Sequence, residues 1–237
     1  MKTIQNTLLA LILLISSKGM FAQELNQKDA EGKRNGQWTG IYDDTKLPRY
    51  EGTFNHGKEV GVFKYYENTA KKTLMATREF NDKDNTAYTI FYDPKMNKVS
   101  EGKVKGKDYE GVWTYYHNVS PKVMTTENYV EGKLDGVRKV YYPNGKIAEE
   151  RGYVKGVKEG VYKKYAESGF LIEEANFKAG QYDGKTTYYD SKGKVTIKGQ
   201  FKNGKKNGVW TYYENNKVVK EENMSQVKKS IKAKGTK

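Results

Sequence analysis

Aromatic and β-branched residues recur along this chain in short runs, and most runs are opened by a glycine and separated by polar turn residues. One run reads Gly-Val-Phe-Lys-Tyr-Tyr at residues 61–66, and Gly-Val-Trp-Thr-Tyr-Tyr occurs at both 111–116 and 208–213. Runs of this composition, bounded by turn residues, predict β-strands. The openings recur every 24 or 25 residues, at Gly36, Gly61, Thr86, Gly111, Gly136, Gly160, Gly184 and Gly208.

A second glycine stands four residues before most of these openings, as in Gly57-Lys-Glu-Val-Gly61. Because glycine reaches positive φ, this spacing predicts a tight turn. Within each repeat another turn, such as Pro143-Asn144-Gly145, leads into a second strand. These second strands end in a bulky residue: Phe54, Val104, Tyr129, Tyr153, Phe177 or Phe201. The glycines assigned to structural turns are Gly36, Gly57, Gly61, Gly111, Gly132, Gly136, Gly156, Gly160, Gly180, Gly184, Gly204 and Gly208.

Each repeat is therefore predicted to be a β-hairpin, and about eight hairpins should pair into one elongated, single-layer antiparallel meander. The predicted fold class is all-β. In the fourth repeat Val112, Thr114 and Tyr116 should share one face, with Trp113 and Tyr115 on the other. We expect stacked aromatic side chains on both faces to form the core of this ribbon.

The two ends of the chain differ from the repeats. Lys2 precedes an apolar run from Leu8 to Ile15, and small residues lead to Ala22, which is the layout of a cleavable secretory signal peptide. The apolar run is too short to cross a bilayer as a helix. We expect this organisation: an N-terminal signal-peptide helix at 1–22, a linker at 23–30, the repeat array at 31–224 and a disordered basic tail at 225–237.

Composition narrows the predicted location. The chain has no cysteine, so it can carry neither a lipoprotein's acylated cysteine nor a disulfide. Its formal charge of +14 becomes +12 on cleavage after Ala22, because Lys2 and Lys18 are removed and no acid is lost. We expect an exported protein that is periplasmic, attached to the cell envelope or secreted.

The segment Tyr50-Glu51-Gly52-Thr53-Phe54-Asn55-His56-Gly57-Lys58-Glu59-Val60-Gly61 resembles the MORN repeat, and the stretch 198–213 is similar to it as well. The resemblance covers roughly residues 31–224. An aromatic residue two places after the opening glycine resembles the bacterial variant of this repeat, whose members are often labelled antitoxins of toxin–antitoxin systems. The third repeat departs from the pattern at Asp82 and Thr86, and the fifth and seventh place Arg138 and Thr186 at the aromatic position.

No catalytic residue, cofactor site or metal site is predicted, so we expect a non-enzymatic protein. Adjacent strand residues point to opposite faces, so neighbouring glutamates cannot act together on one substrate. We interpret them as exposed partners of lysines. The histidines, His56 and His117, match no metal spacing. The glutamate pairs are Glu149-Glu150, Glu173-Glu174 and Glu221-Glu222.

The aromatic position leaves two interpretations open, because its side chains could pack against one another or form a ligand-binding stripe. Interleaved lysines favour an anionic ligand, and export argues against nucleic acid. The partner is then an unknown protein, an anionic glycan or a phospholipid surface, bound by an envelope scaffold. Alternatives are an antitoxin-like or immunity-like protein and an aromatic-repeat cell-wall glycan binder. The candidate ligand-binding residues are Trp38, Phe63, Tyr88, Trp113, Tyr162 and Trp210.

Overall fold

The computed structural model describes residues 24–81 and 83–225. The expected signal peptide lies outside these residues, as does the expected tail from residue 226 onward. Within the two ranges no helix has the length and apolar character needed to cross a membrane. The strands are β1 Gly36–Ile41, β2 Pro48–Asn55, β3 Lys58–Tyr66, β4 Leu74–Phe80, β5 Thr86–Tyr92, β6 Lys98–Lys105, β7 Asp108–Tyr116, β8 Val123–Val130, β9 Lys133–Leu134, β10 Gly136–Tyr141, β11 Ile147–Val154, β12 Val157–Tyr165, β13 Leu171–Lys178, β14 Gln181–Tyr182, β15 Gly184–Tyr189, β16 Val195–Lys202, β17 Lys205–Glu214 and β18 Lys217–Asn223.

The strands form one open antiparallel sheet that follows the order of the chain from β1 to β18. At two places a strand of the sheet is broken into two by a single residue. As a result β9 and β10 both pair with β8, and β14 and β15 both pair with β13. Extensive contacts join only strands that are neighbours in the sheet, so in the described part of the chain no second layer covers it. The prediction of an all-β, single-layer hairpin meander is confirmed.

The residue that opens a repeat pairs with the bulky residue that ends its second strand. Gly61 lies opposite Phe80, and in the third repeat Ala87 lies opposite Val104. Alignment of the third repeat on Thr86 is therefore wrong by one residue. The steps around Ala87 are 26 and 24 residues, because the loop between β3 and β4, residues 67–73, is longer than the equivalent loops of the other repeats. The other such pairs are Gly36–Phe54, Gly111–Tyr129, Gly136–Tyr153, Gly160–Phe177 and Gly184–Phe201.

Five of the turns between repeats are two-residue reversals with positive φ at both central positions, as type I′ turns have. At the turn between β11 and β12, Lys155 has φ of 48° and Gly156 of 85°. All twelve glycines assigned to turns from the sequence have positive φ. Glycine at the second position spares the fold the steric cost that a Cβ would add there.

Residues 24–30, expected to be a linker, lie against the first hairpin. The indole nitrogen Nε1 of Trp38 donates a hydrogen bond of 3.0 Å to the carbonyl oxygen of Gln27. The backbone N–H of Asn26 donates one of 2.9 Å to the carbonyl oxygen of Gln37. This segment therefore satisfies part of the open edge of β1, which otherwise presents unpaired backbone groups.

The sheet has two chemically different faces. We call the face that carries Phe63, Trp113 and Trp210 the ring face, because those three side chains are buried, with at most 1% of their surface exposed. We call the opposite face the valine face, since Val112 and Val161 on it are 62% and 51% exposed. Most of the core thus lies on one side of a single sheet, although Tyr66 on the valine face is also buried, with 6% of its surface exposed.

Candidate functional site

Aromatic side chains close the ring face by covering glycines of the neighbouring strand. A Cβ atom added at Gly102 would lie 2.5 Å from the indole of Trp113. Because only hydrogen fits beneath such a ring, glycine is required on the partner strand at these places, as in other sheets where an aromatic side chain covers a strand glycine. The same arrangement joins Phe63 to Gly52 and Trp210 to Gly199.

The rings also contact one another from repeat to repeat. The centroid of Phe63 lies 5.2 Å from that of Phe54 on one side and 5.2 Å from that of Phe80 on the other, both edge to face. Tyr109 stacks on Trp113 at 3.8 Å between centroids. Such aromatic pairs contribute roughly 0.5–1.5 kcal/mol each beyond the burial of their area.

The six aromatic residues proposed as a ligand-binding stripe do not form one exposed surface. Phe63, Trp113, Tyr162 and Trp210 are at most 4% exposed, so their faces are used in packing. Tyr88 is 45% exposed and lies on the valine face, because the one-residue shift of the third repeat places Thr89 at the ring-face position.

Trp38, the remaining member of the six, is half-buried on the ring face beside Phe54, with a centroid distance of 5.9 Å. The guanidinium of Arg34 lies 5.0 Å from the Trp38 ring centroid, which is within cation–π distance. Of the six, the structure therefore brings five to the ring face and separates Tyr88 from them.

Charged side chains replace rings in the middle of the ring face. Arg138 stands at the aromatic position of the fifth repeat, and its Nε donates a 2.9 Å hydrogen bond to Glu127. Arg138 also reaches Glu149 at 3.4 Å, and Glu149 accepts from Arg151 at 3.2 Å. The Arg151 guanidinium covers the ring of Tyr162 at 4.6 Å. This chain of alternating charges continues the contacts between strands where the aromatic side chains stop.

The valine face carries one exposed valine in most repeats, immediately after the opening glycine. In several repeats a lysine follows two residues after this valine. Two of these lysines form ion pairs with a glutamate of the adjacent strand: Lys139 with Glu150 at 3.3 Å, and Lys163 with Glu174 at 3.8 Å. The result is a row of apolar side chains flanked by paired charges. The exposed valines of this row are Val62 at 51%, Val112 at 62%, Val137 at 51%, Val161 at 51% and Val209 at 49%.

Tyrosines on the valine face donate hydrogen bonds to glutamates across the strands. Tyr66 donates to Glu51 at 2.7 Å and Tyr165 to Glu150 at 2.9 Å, and Tyr116 donates to Glu101 in the same way. Desolvation, followed by these hydrogen bonds to carboxylates, raises the pKa of each of the three phenols to about 12. The prediction of stacked aromatics on both faces is therefore correct only for the ring face.

Comparison with protein families gives one match. The family model described as the MORN repeat variant matches three consecutive segments, residues 134–155, 158–179 and 182–203. Each segment spans one hairpin of the sheet. These three segments are similar to consecutive MORN repeats of the variant type. A search of curated proteins gave no match.

In four consecutive repeats, from the fourth to the seventh, an acidic residue before the opening glycine holds the next turn. The carboxylate of Glu159 accepts a 2.9 Å hydrogen bond from the backbone N–H of Ala179, one repeat later. We missed this role in the sequence, although Asp or Glu immediately before the opening glycine is its visible signal. In the equivalent contacts a backbone N–H donates to the side-chain carboxylate of the earlier repeat: Glu131 to Glu110 at 3.3 Å, Lys155 to Asp135 at 3.1 Å and Asn203 to Asp183 at 3.1 Å.

The adjacent glutamates of the repeat array point to opposite faces. Glu149 meets arginines on the ring face, whereas Glu150 meets Lys139 and Tyr165 on the valine face. Glu173 and Glu174 divide in the same way, since the first accepts from Tyr182 and the second approaches Lys163. Neither pair can place two carboxylates on one substrate.

The two histidines take part in the turns of the repeats. His56 Nδ1 lies 2.7 Å from Asp29, and this contact is the main reason that the pKa of the Asp29 carboxyl is lowered. His117 Nε2 lies 3.2 Å from the carbonyl oxygen of Tyr141. Within residues 24–81 and 83–225 no group of three or more His, Cys, Asp or Glu side chains could hold a metal ion.

Proposed function

We propose that this protein is an exported, non-enzymatic MORN scaffold that binds a partner protein at the cell envelope through its valine face. The observation that carries the proposal is the row of valines, each about half exposed, once per repeat in five of the eight repeats. A row of exposed apolar side chains rimmed by polar residues is a feature of protein interaction sites.

The chemistry of the valine face favours a protein over the other candidate partners. Valines alternate with lysine–glutamate pairs and with tyrosines, a mixture of apolar and polar groups that resembles protein interfaces. A phospholipid surface would favour unpaired cations, and here Lys139 and Lys163 already face glutamates. Anionic glycan and phospholipid are therefore outcomes to be tested against protein.

The exported location is supported by the sequence of residues 1–22. The non-enzymatic role is supported by the way the sheet separates its carboxylates, as it does Glu149 from Glu150. General acid–base catalysis needs groups that reach one substrate, and strand alternation places these adjacent carboxylates on opposite faces.

The test is capture of partners from native envelope with mature protein that begins at Gln23. The row variant carries Val112→Thr, Val137→Thr and Val161→Thr, which keep a β-branched side chain and remove apolar surface. The matched control carries Val154→Thr and Val157→Thr, which are 49% and 47% exposed but lie at the turn between β11 and β12.

We expect wild type and control to retain the same protein after washing, and the row variant to lose it. Equal retention by the row variant would contradict the valine face as the site. Retention of purified cell-wall glycan or liposomes without a protein would contradict a protein partner. A captured toxin would assign the scaffold the neutralising role of an immunity protein.

A further inference from the structure

A hollow of about 470 Å³ opens on the ring face between the turn ends of the second and third repeats. Its floor is apolar and consists of Phe54, Phe80, Ala87 and Val104. Its volume lies within the range of about 300–1,000 Å³ that is usual for small-molecule sites. The hollow therefore has both the size and the lining of a site for a small ring-shaped ligand.

The hollow exists because the third repeat lacks the side chains that fill this space elsewhere. In the fourth and eighth repeats the residue two places before the opening glycine covers the ring face. Tyr109 lies over Trp113 in the fourth repeat, and Lys206 lies over Trp210 in the eighth. In the second repeat that residue is Glu59, which lines the hollow instead. Thr89 then occupies a position where five other repeats carry an aromatic side chain.

The rim of the hollow brings together groups that do not recur in the other repeats. Arg78 supplies a cation, and Glu59 supplies a carboxylate. The Arg78 guanidinium lies 5.7 Å from the ring centroid of Tyr65, which orients it along the ring face. Three amide side chains, which can both donate and accept hydrogen bonds, complete the rim: Asn55, Asn81 and Asn85.

We propose that this hollow binds one sugar residue that carries a carboxylate, either free or within an anionic glycan. The carboxylate would be held by Arg78, whose planar fork of donors matches it. The hydroxyl groups would meet the amides and Glu59, and the C–H face of the ring would rest on Phe54 and Phe80. The site lies on the opposite face from the row of valines, so it goes beyond the scaffold function proposed above.

Binding is measured by NMR titration and by calorimetry with four probes: glucuronate, an oligomer of glucuronate units, glucose and acetate. We expect glucuronate and its oligomer to shift the signals of Phe54, Phe80 and Ala87. Glucose lacks the carboxylate and acetate lacks the ring, so each should bind at least about tenfold more weakly. Glucuronate binding without oligomer binding would assign the site to a free sugar, and binding of both to a glycan.

Two variants and one control separate this site from other surfaces. Arg78→Met keeps the length of the side chain and removes its charge, and should weaken glucuronate binding about tenfold or more. Ala87→Phe should fill the hollow and abolish binding. The control, Lys64→Met on the valine face, should bind glucuronate as wild type does.

No shift with glucuronate, equal binding of glucose and glucuronate, or full binding by folded Arg78→Met would overturn the proposal. Arg78→Met alone decides the matter if Ala87→Phe fails to fold. Retention of the envelope partner by Arg78→Met would show that the scaffold function stands independently, so failure of one proposal does not imply failure of the other.

Discussion

The indole of Trp113 covers the backbone of Gly102 so closely that an added Cβ would lie 2.5 Å from the ring. The two residues belong to adjacent strands, β7 and β6, and Trp113 has no exposed surface. No second layer covers the sheet within residues 24–81 and 83–225, so the core of this part is built by side chains that cover the neighbouring strand.

Gly102→Ala should therefore destabilise the protein by overpacking, by about 1–3 kcal/mol or more. The matched control is Gly106→Ala, where φ is +63° but nothing lies within 4 Å of the added Cβ. That control carries only backbone strain, on the order of 1 kcal/mol. Urea unfolding followed by tryptophan fluorescence compares the two. A smaller loss for Gly102→Ala than for Gly106→Ala would contradict the packing role.

Glu159→Ala should loosen the following turn, because it removes the acceptor for the backbone N–H of Ala179. We expect faster hydrogen exchange at the Ala179 amide and a loss of about 1 kcal/mol in the free energy of unfolding. Glu159→Gln keeps an oxygen acceptor and should preserve the protection. Equal exchange at Ala179 in both variants would mean that the carboxylate does not hold the turn.

The valine-face tyrosines should make stability fall at high pH. The pKa of Tyr66, Tyr116 and Tyr165 is raised from 10.0 to about 12, so between these values the unfolded chain releases protons that the folded protein retains. Their contribution is complete below pH 10 and is lost as the pH rises toward 12. Replacing all three tyrosines by phenylalanine should make the urea midpoint of unfolding fall less steeply with pH between 10 and 12 than it does in wild type. An unchanged slope would contradict the hydrogen bonds to the glutamates.

Arg138→Met should leave two carboxylates without a shared cation, since Arg138 reaches both Glu127 and Glu149 on the ring face. The side chains of these glutamates are only 14% and 20% exposed, so the loss should be about 1–3 kcal/mol. The double variant Arg138→Met with Glu149→Gln should recover part of the lost stability, because it removes the charge of one of the two carboxylates. Additive losses in a double-mutant cycle would show that the two residues do not interact.

The hairpins could be predicted from the sequence because their turns use residues with a fixed conformational role. The spacing of Gly57 and Gly61, repeated along the chain, defines both the turn and the start of the next strand. Where these glycines are missing, the signal is lost, so the phase of the third repeat was wrong. Only the pairing of Ala87 with Val104 reveals the correct alignment of this repeat.

The location of the core could not be read from the repeat pattern. Both faces carry aromatic residues, and strand alternation separates Trp113 from Tyr116 without saying which is buried. The deciding feature is the glycine opposite the ring, such as Gly102, which lets one face pack closely. For the same reason the residues proposed as a binding stripe are mostly part of the core.

The most direct test of a two-faced, single-layer sheet is the rate at which single cysteines react with a thiol reagent, since the chain has none of its own. Ala175 and Ala87 are 1% and 2% exposed on the ring face, whereas Val161 and Tyr88 are 51% and 45% exposed on the valine face. We predict that Val161→Cys and Tyr88→Cys react about tenfold or more faster than Ala175→Cys and Ala87→Cys. Equal rates at Ala175→Cys and Val161→Cys, or faster reaction at Ala87→Cys than at Tyr88→Cys, would contradict the account.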